Sequence, residues 1–206
     1  MDDRATALGQ DAVLSSVDRF GIWLSSRRMR AALGSARGKR FADIGCGFEA
    51  RASRRLIDEA ASSLLVDLAI AEDLKAHPRV EAVEGLLPGA LAGVPDASID
   101  LLACTSVLEH VVEDDVLLAE LRRVLAPGGR CFLNVPSWLG KHFLELVAFR
   151  LRLGESAPLE MDDHKRYYDP KDLWPLLVAA GFRPHGITCR RHKAGLNTYA
   201  LCRVDP

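Results

Sequence analysis

Residues 40–48, Arg-Phe-Ala-Asp-Ile-Gly-Cys-Gly-Phe, constrain this chain more than any other stretch. An apolar run that passes into two glycines one residue apart reads as a short buried strand ending in a tight turn. A helix is expected to follow directly, over residues 49–61, with its unpaired N–H groups and positive dipole end facing the turn. Bare Cα atoms at Gly45 and Gly47 would let a ligand lie against the backbone. Twenty residues beyond Gly47, the run Ser63-Leu64-Leu65-Val66 reads as the next strand and delivers Asp67 at its end. A carboxylate there can accept hydrogen bonds from both hydroxyls of a ribose. Strand, glycine turn and acid at this spacing predict a nucleoside site.

The rest of the chain repeats the alternation. Short helices are expected at 70–76 and 114–125, and strands at 80–84, 98–104 and 131–135. Strands separated by helices imply an α/β fold with a parallel sheet covered on both faces. The pattern then breaks. Residues 138–153 read as an apolar inserted helix, and 154–168 as a polar segment containing Asp162-Asp163-His164-Lys165-Arg166-Tyr167-Tyr168. A helix over 170–180 precedes two strands, 186–191 and 198–204, whose short connection forces them antiparallel. Residues 1–39 suggest one or two short helices, either capping the sheet edge or forming a lid with Trp23 and Arg27 or Arg28 toward a substrate.

Composition excludes several classes. With 206 residues, 49% of them hydrophobic, one domain with a full core is expected. The net charge of −1 gives no global attraction to nucleic acid, and no apolar run is long enough to span a bilayer. Five cysteines without a Cys-x-x-Cys pair argue for a reducing cytoplasm, against a disulfide framework and against a zinc site.

Asp43-Ile44-Gly45-Cys46-Gly47, Asp67, Ile99-Asp100-Leu101-Leu102, Val107-Leu108-Glu109-His110-Val111 and Leu125-Ala126-Pro127-Gly128-Gly129 stand in fixed order, with Ala180-Gly181-Phe182 before the terminal hairpin. Together they resemble the class I S-adenosylmethionine-dependent methyltransferases of the type 11, small-molecule kind. The resemblance implies a seven-stranded Rossmann-like sheet in the order 3-2-1-4-5-7-6, helices on both faces and a terminal antiparallel hairpin. It implies a methyltransferase domain over 40–206 after an N-terminal helical cap, 1–39, with the insert 137–168 forming part of the acceptor site.

For the cofactor, S-adenosylmethionine with S-adenosylhomocysteine as product, it implies that Asp43, Gly45, Cys46 and Gly47 pass the methionine part. Asp67 and Leu68 would meet the ribose, and Glu84, Gly85 and Leu86 the adenine. Thr105 and Ser106 would lie under the sulfonium. Two departures stand out: Glu49 replaces the usual third glycine, and Leu86 an acid common in the adenine loop.

Methyl transfer from a sulfonium needs mainly a nucleophile held in line, plus a base if the acceptor must lose a proton. His110 is the first candidate base and His164 the second; either reads equally as a cofactor contact, a cap or a surface histidine. His192, third, sits where a solvated hairpin tip is expected. Tyr167, Tyr168, Arg166 and Trp23 are the candidate acceptor contacts. Lys165-Arg166 and Arg190-Arg191-His192-Lys193 would bind a phosphate or carboxylate if they lie on the pocket rim, and are solvated loop charges otherwise. Asp162-Asp163-His164 is a poor metal set, because neighbouring residues do not converge on one ion.

The expected activity is methyl transfer to an oxygen or nitrogen of a small molecule, such as a sugar or natural-product intermediate. The alternatives are a non-catalytic cofactor-binding partner protein and, more remotely, a nicotinamide dehydrogenase. The chain is expected to be a monomer or homodimer. The apolar insert with Lys141, Arg150 and Arg152 carries an alternative reading as a peripheral membrane contact.

Overall fold

The computed structural model describes Ala7, Gln10 and residues 16–145 and 165–206. Seven strands form one sheet in the order β3-β2-β1-β4-β5-β7-β6, as the resemblance implies. They are β1 (Arg40–Ile44), β2 (Ser62–Asp67), β3 (Val80–Glu84), β4 (Ile99–Thr105), β5 (Leu125–Pro136), β6 (Ile187–His192) and β7 (Asn197–Arg203). The first five run parallel, and β7 pairs antiparallel with both β5 and β6.

Parallel strands need both faces covered, because each face carries apolar side chains. Alternate residues of β1, β4 and β5 accordingly feed two cores. Ala42, Leu102 and Leu133 pack with Leu117 and Leu121 of α4 (Asp114–Val124) and with Leu173 and Leu177 of α6 (Pro170–Ala179). Phe41, Ala103 and Phe132 pack on the other face against Met29 and Leu33 of α1 (Ser16–Leu33) and Leu56 and Ile57 of α2 (Arg54–Glu59). Among the described residues of the N-terminal stretch, α1 contributes to the core. Its foot is tied to β5 by Arg130, whose guanidinium donates to the Leu33 carbonyl at 3.2 Å.

Three elements differ from expectation. The first helix after the glycine turn starts at Arg54, five residues late. Ala50 has φ 47°, a left-handed conformation that interrupts helical propagation, and the helix nucleates only beyond it. Next, α3 is confined to Glu72–Lys75. Finally, Pro127-Gly128-Gly129 does not separate α4 from its strand. It lies inside β5, where Gly128 takes φ 75° and the pairing with β4 shifts register between Ile99 and Leu101. The inserted helix α5 is described over Trp138–Glu145. The remainder of the insert, including His164 and Asp162-Asp163, lies outside the described residues.

The chain leaves β1 toward β2 and β3 and returns to β4 on the other side. This reversal opens a crevice beyond the carboxyl ends of β1 and β4, where ligands bind in open α/β sheets.

Candidate active site

The turn after β1 is stitched to β2. Gly45 N donates to the Val66 carbonyl at 2.7 Å and Cys46 N to the same oxygen at 3.3 Å. Gly45 and Gly47 take φ 74° and 72°, the left-handed region that favours glycine. At Gly45 the protein itself occupies the space left by the missing side chain. A Cβ there would come within 2.0 Å of Val107 Cγ2. Gly45 therefore also serves the packing of the β4 exit loop.

Asp67, at the end of β2, closes the turn from above. Its Oδ2 accepts from Gly47 N and its Oδ1 from Leu68 N, both at 2.7 Å. Each carboxylate oxygen has a second lone pair, so a fixed, partly exposed acceptor pair remains for a diol. Gly85 N donates to the Asp67 carbonyl at 2.9 Å, which draws the β3 exit loop to the same spot, with Leu86 exposed on it. Glu84 is turned away into a bond from Ile70 N at 2.8 Å and an ion pair with Lys75 at 2.7 Å.

Below the turn lies Asp43, 2% exposed, whose Oδ1 has no protein partner. Burial pushes its carboxyl up to about 7, opposed in part by the Ser53 hydroxyl and reinforced by the charge of Asp67. The same burial, with Asp43 and Asp67 adding, drives the Cys46 thiol far above its ordinary range, so Cys46 stays protonated and unreactive. Two carboxyl groups beside one turn favour a ligand with positive charge.

The β4 exit loop supplies the far wall. Thr105 is half-buried, and Ser106 takes φ 56°, a strained conformation for a side-chain-bearing residue. That conformation is held by Ser106 N donating to the Asn134 carbonyl at 2.8 Å. His110 follows one turn later, half-buried, with its N–H donating to the Val107 carbonyl at 2.9 Å.

The segment after the undescribed part of the insert straps across this edge. Lys165 N donates to the Glu109 carbonyl at 2.7 Å, and Tyr168 N to the Pro136 carbonyl at 3.0 Å. Within it, Arg166 and Tyr168 are committed to a structural carboxylate. Both bond Asp114 at the start of α4, with Tyr168 Oη donating at 2.9 Å. Burial and that neighbour raise the Tyr168 phenol well above its usual range. Tyr167 is buried, tilted against Trp138 with ring centroids 5.7 Å apart. Trp23, exposed on α1, is stacked on Phe20 at 5.7 Å with the Arg27 guanidinium 4.9 Å from its ring.

Residues that sequence reasoning did not single out complete the edge. Asn134 on β5 is fully buried, and neither polar atom of its amide group has a partner among the described residues. A single amide in an otherwise apolar central strand was the available signal. Beside it, Tyr199 of β7 carries Arg28 of α1 over its ring at 5.0 Å.

A dinucleotide needs its pyrophosphate at the start of the helix that directly follows the glycine turn. Here residues 48–53 separate turn from helix. The arrangement suits a nucleoside carrying a cation. Comparison with known proteins agrees: a family model described as a methyltransferase domain matches residues 42–133. The chain carries a methyltransferase domain, as the S-adenosylmethionine-dependent class I enzymes do.

A ubiquinone biosynthesis O-methyltransferase of Idiomarina loihiensis is 31% identical over 156 residues, covering 69% of this chain and 61% of that protein. The chain therefore spans less than two thirds of that relative's length. Among solved structures, an S-adenosylmethionine-dependent methyltransferase from Archaeoglobus fulgidus superposes with a TM-score of 0.64 at 15% identity, covering 92% of this chain and all of that one. The methyltransferase CalH, in complex with SAH, superposes with a TM-score of 0.64 at 19% identity, covering 91% of this chain and 59% of its own. The methyltransferase domain implies S-adenosylmethionine as the cofactor. Among the described residues no group of histidine, cysteine and acidic side chains could hold a metal ion, and no helix is long and apolar enough to cross a membrane.

Proposed function

We propose that this chain transfers the methyl group of S-adenosylmethionine to a hydroxyl oxygen of a small molecule. The observation that carries the reading is the pair of carboxyl groups at the turn, one fixed on the rim and one buried with an unpaired oxygen. Asp67 would hold the ribose hydroxyls, with Leu68 beside it and Gly85 and Leu86 bordering the adenine. Asp43, Cys46 and Gly47 would face the methionine end. An ammonium group near Asp43 would draw its proton off, since a neighbouring cation favours the charged carboxylate.

The cofactor supplies a methyl group already activated on a sulfonium. What remains for the chain is to hold an acceptor oxygen in line and to take its proton. Thr105 and Ser106 would border the reacting centre, and His110, one turn along the same loop, would take the proton. The strap at 165–168 covers this edge and would limit the acceptor to a small molecule, with Tyr167 as the aromatic wall and Arg166 and Tyr168 as its anchors.

Oxygen rather than nitrogen is favoured by the O-methyltransferase name of the 31% identical relative. No relative described above favours a sugar over other hydroxyl acceptors. Five free cysteines suit a cytoplasmic site of action.

The test is acceptor-dependent formation of S-adenosylhomocysteine, followed by mass spectrometry across catechols, phenols, sugars and primary amines. Product with hydroxyl acceptors supports the proposal, and product with amines alone overturns the choice of atom.

A further inference from the structure

We propose that Arg28, Asn134, His192 and Lys193 form a subsite that grips a carboxylate on the methyl acceptor, an inference that rests on the function proposed above. The four residues come from α1, β5 and the β6–β7 hairpin and meet around Tyr199. Register places Asn134 directly across from Tyr199, and His192 across from Asn197, two residues away on the same strand as Tyr199. Alternation along each strand then puts Asn134, Tyr199 and His192 on one face of the sheet, the face covered by α1. The Arg28 guanidinium lies 5.0 Å from the Tyr199 ring centroid, and the His192 ring meets that ring edge-on at 6.2 Å.

This patch has hydrogen-bonding capacity left over. Both polar atoms of the Asn134 amide are buried without a partner among the described residues, and so is Nε2 of His192. Buried polar atoms are normally paired, so orphans on one stretch of a covered face, the donor Asn134 Nδ2 among them, point to a ligand that meets them.

Charge selects the ligand. His192 is held below its ordinary pKa by burial and by the cations of Lys193 and Arg28, against a hydrogen bond to the Leu24 backbone. Lys193 is itself largely buried, with Glu109 of the β4 exit loop as the acid that faces it. Against Glu109 stand the Arg28 guanidinium and the Lys193 ammonium, the latter weakened as a cation by burial, so the patch favours an anion. A single carboxylate supplies negative charge, accepts from Asn134 Nδ2, and accepts from His192 Nε2 once the imidazole takes up a proton.

The hairpin tip is built to hold this geometry. Lys193 and Ala194 both take left-handed φ, 50° and 55°. The tip is clamped by Ser137, whose hydroxyl donates to the Gly195 carbonyl at 2.6 Å and whose N–H donates to the Leu196 carbonyl at 3.0 Å. Lys193 Nζ lies against α1 at Gly21, 3.7 Å from where a Cβ would be. Its attraction to Glu109 places the subsite next to the loop that bears His110, within reach of an acceptor anchored at one end and methylated at the other.

The test uses the full chain saturated with S-adenosylhomocysteine, with the His192 imidazole followed by NMR. Benzoate is the probe, and benzamide is its neutral isostere. Benzoate is expected to move the His192 resonances and raise the imidazole pKa, while benzamide at equal concentration leaves both unchanged. Lys193→Gly removes the ammonium and suits the left-handed backbone, so it should keep S-adenosylhomocysteine affinity and weaken benzoate about tenfold, the loss of one charge-assisted contact. Equal responses to benzoate and benzamide, a silent His192, or unchanged benzoate affinity in Lys193→Gly would overturn the subsite. Failure of the wild-type chain to bind S-adenosylhomocysteine would instead strike the cofactor reading, and benzoate titration of the cofactor-free protein would then decide the subsite by the same criteria.

Discussion

The two halves of the sheet's carboxyl edge solve different electrostatic problems. At β1 and β2, two carboxyl groups and a glycine turn make an acidic cradle whose parts lie within 25 residues, Asp43 to Asp67. At β5, β7 and β6, an orphaned amide, an imidazole and two cations make a basic patch assembled from residues 28, 134, 192 and 193. The acidic half suits a cationic cofactor and the basic half an anionic acceptor. Between them the β4 exit loop carries Thr105, Ser106 and His110. Opposite charges on the two sides would keep each ligand out of the other's place.

The largest expected effect lies on the loop between the halves. His110→Ala should lower turnover by about 10²–10⁴-fold, the usual contribution of a general base, with cofactor affinity little changed. Steady-state kinetics beside calorimetry separates the roles, because equal losses in both would make His110 a cofactor contact. Gly45→Ala comes next, and it tests whether the acidic half is built on packing. A Cβ 2.0 Å from Val107 at φ 74° combines a clash with a strained backbone, at about 2–5 kcal/mol in chemical denaturation. A Val107→Ala background should restore much of the loss.

Asp43 gives a prediction of opposite sign. Its carboxyl titrates at about 7 in the fold, against 3.8 ordinarily. The stability tied to its protonated form is therefore complete below pH about 4 and is lost as pH rises through 7. Asp43→Asn cannot ionise. It should be more stable than the parent at pH 8, by an amount bounded at about 4 kcal/mol, and the gap should close toward pH 5. It should also bind S-adenosylmethionine more weakly. A parent protein with a flat pH–stability profile across this window would remove Asp43 from the acidic half. The smallest effect is expected at the rim: Asp67→Ala should weaken cofactor binding by about 1.5–3 kcal/mol, the value of hydrogen bonds to a charged group.

The same contrast explains what could be read from the chain. Strand order, the glycine turn and Asp67 were legible because each depends on residues close in sequence, with a period or spacing that physical chemistry dictates. The late start of α2 was not, since nothing in Glu49-Ala50-Arg51 announces the left-handed Ala50. Gly45 was legible as a glycine that must turn, but its occupant, Val107, comes from a loop 62 residues away in number. Arg166 and Tyr168 looked like acceptor contacts because charged and aromatic residues clustered there. Their partner Asp114 sits at a helix start that sequence pattern does not connect to them. The basic half was least legible, because Asn134, Arg28 and His192 meet only when β5, α1 and the hairpin are folded together.

The most direct test of the acidic cradle is calorimetric titration of the full chain with S-adenosylhomocysteine and, in parallel, NADH. Micromolar binding of S-adenosylhomocysteine and none of NADH is the predicted result. Binding of NADH alone would contradict the account at its centre, since a pyrophosphate would then need a helix start that residues 48–53 hold away from the turn.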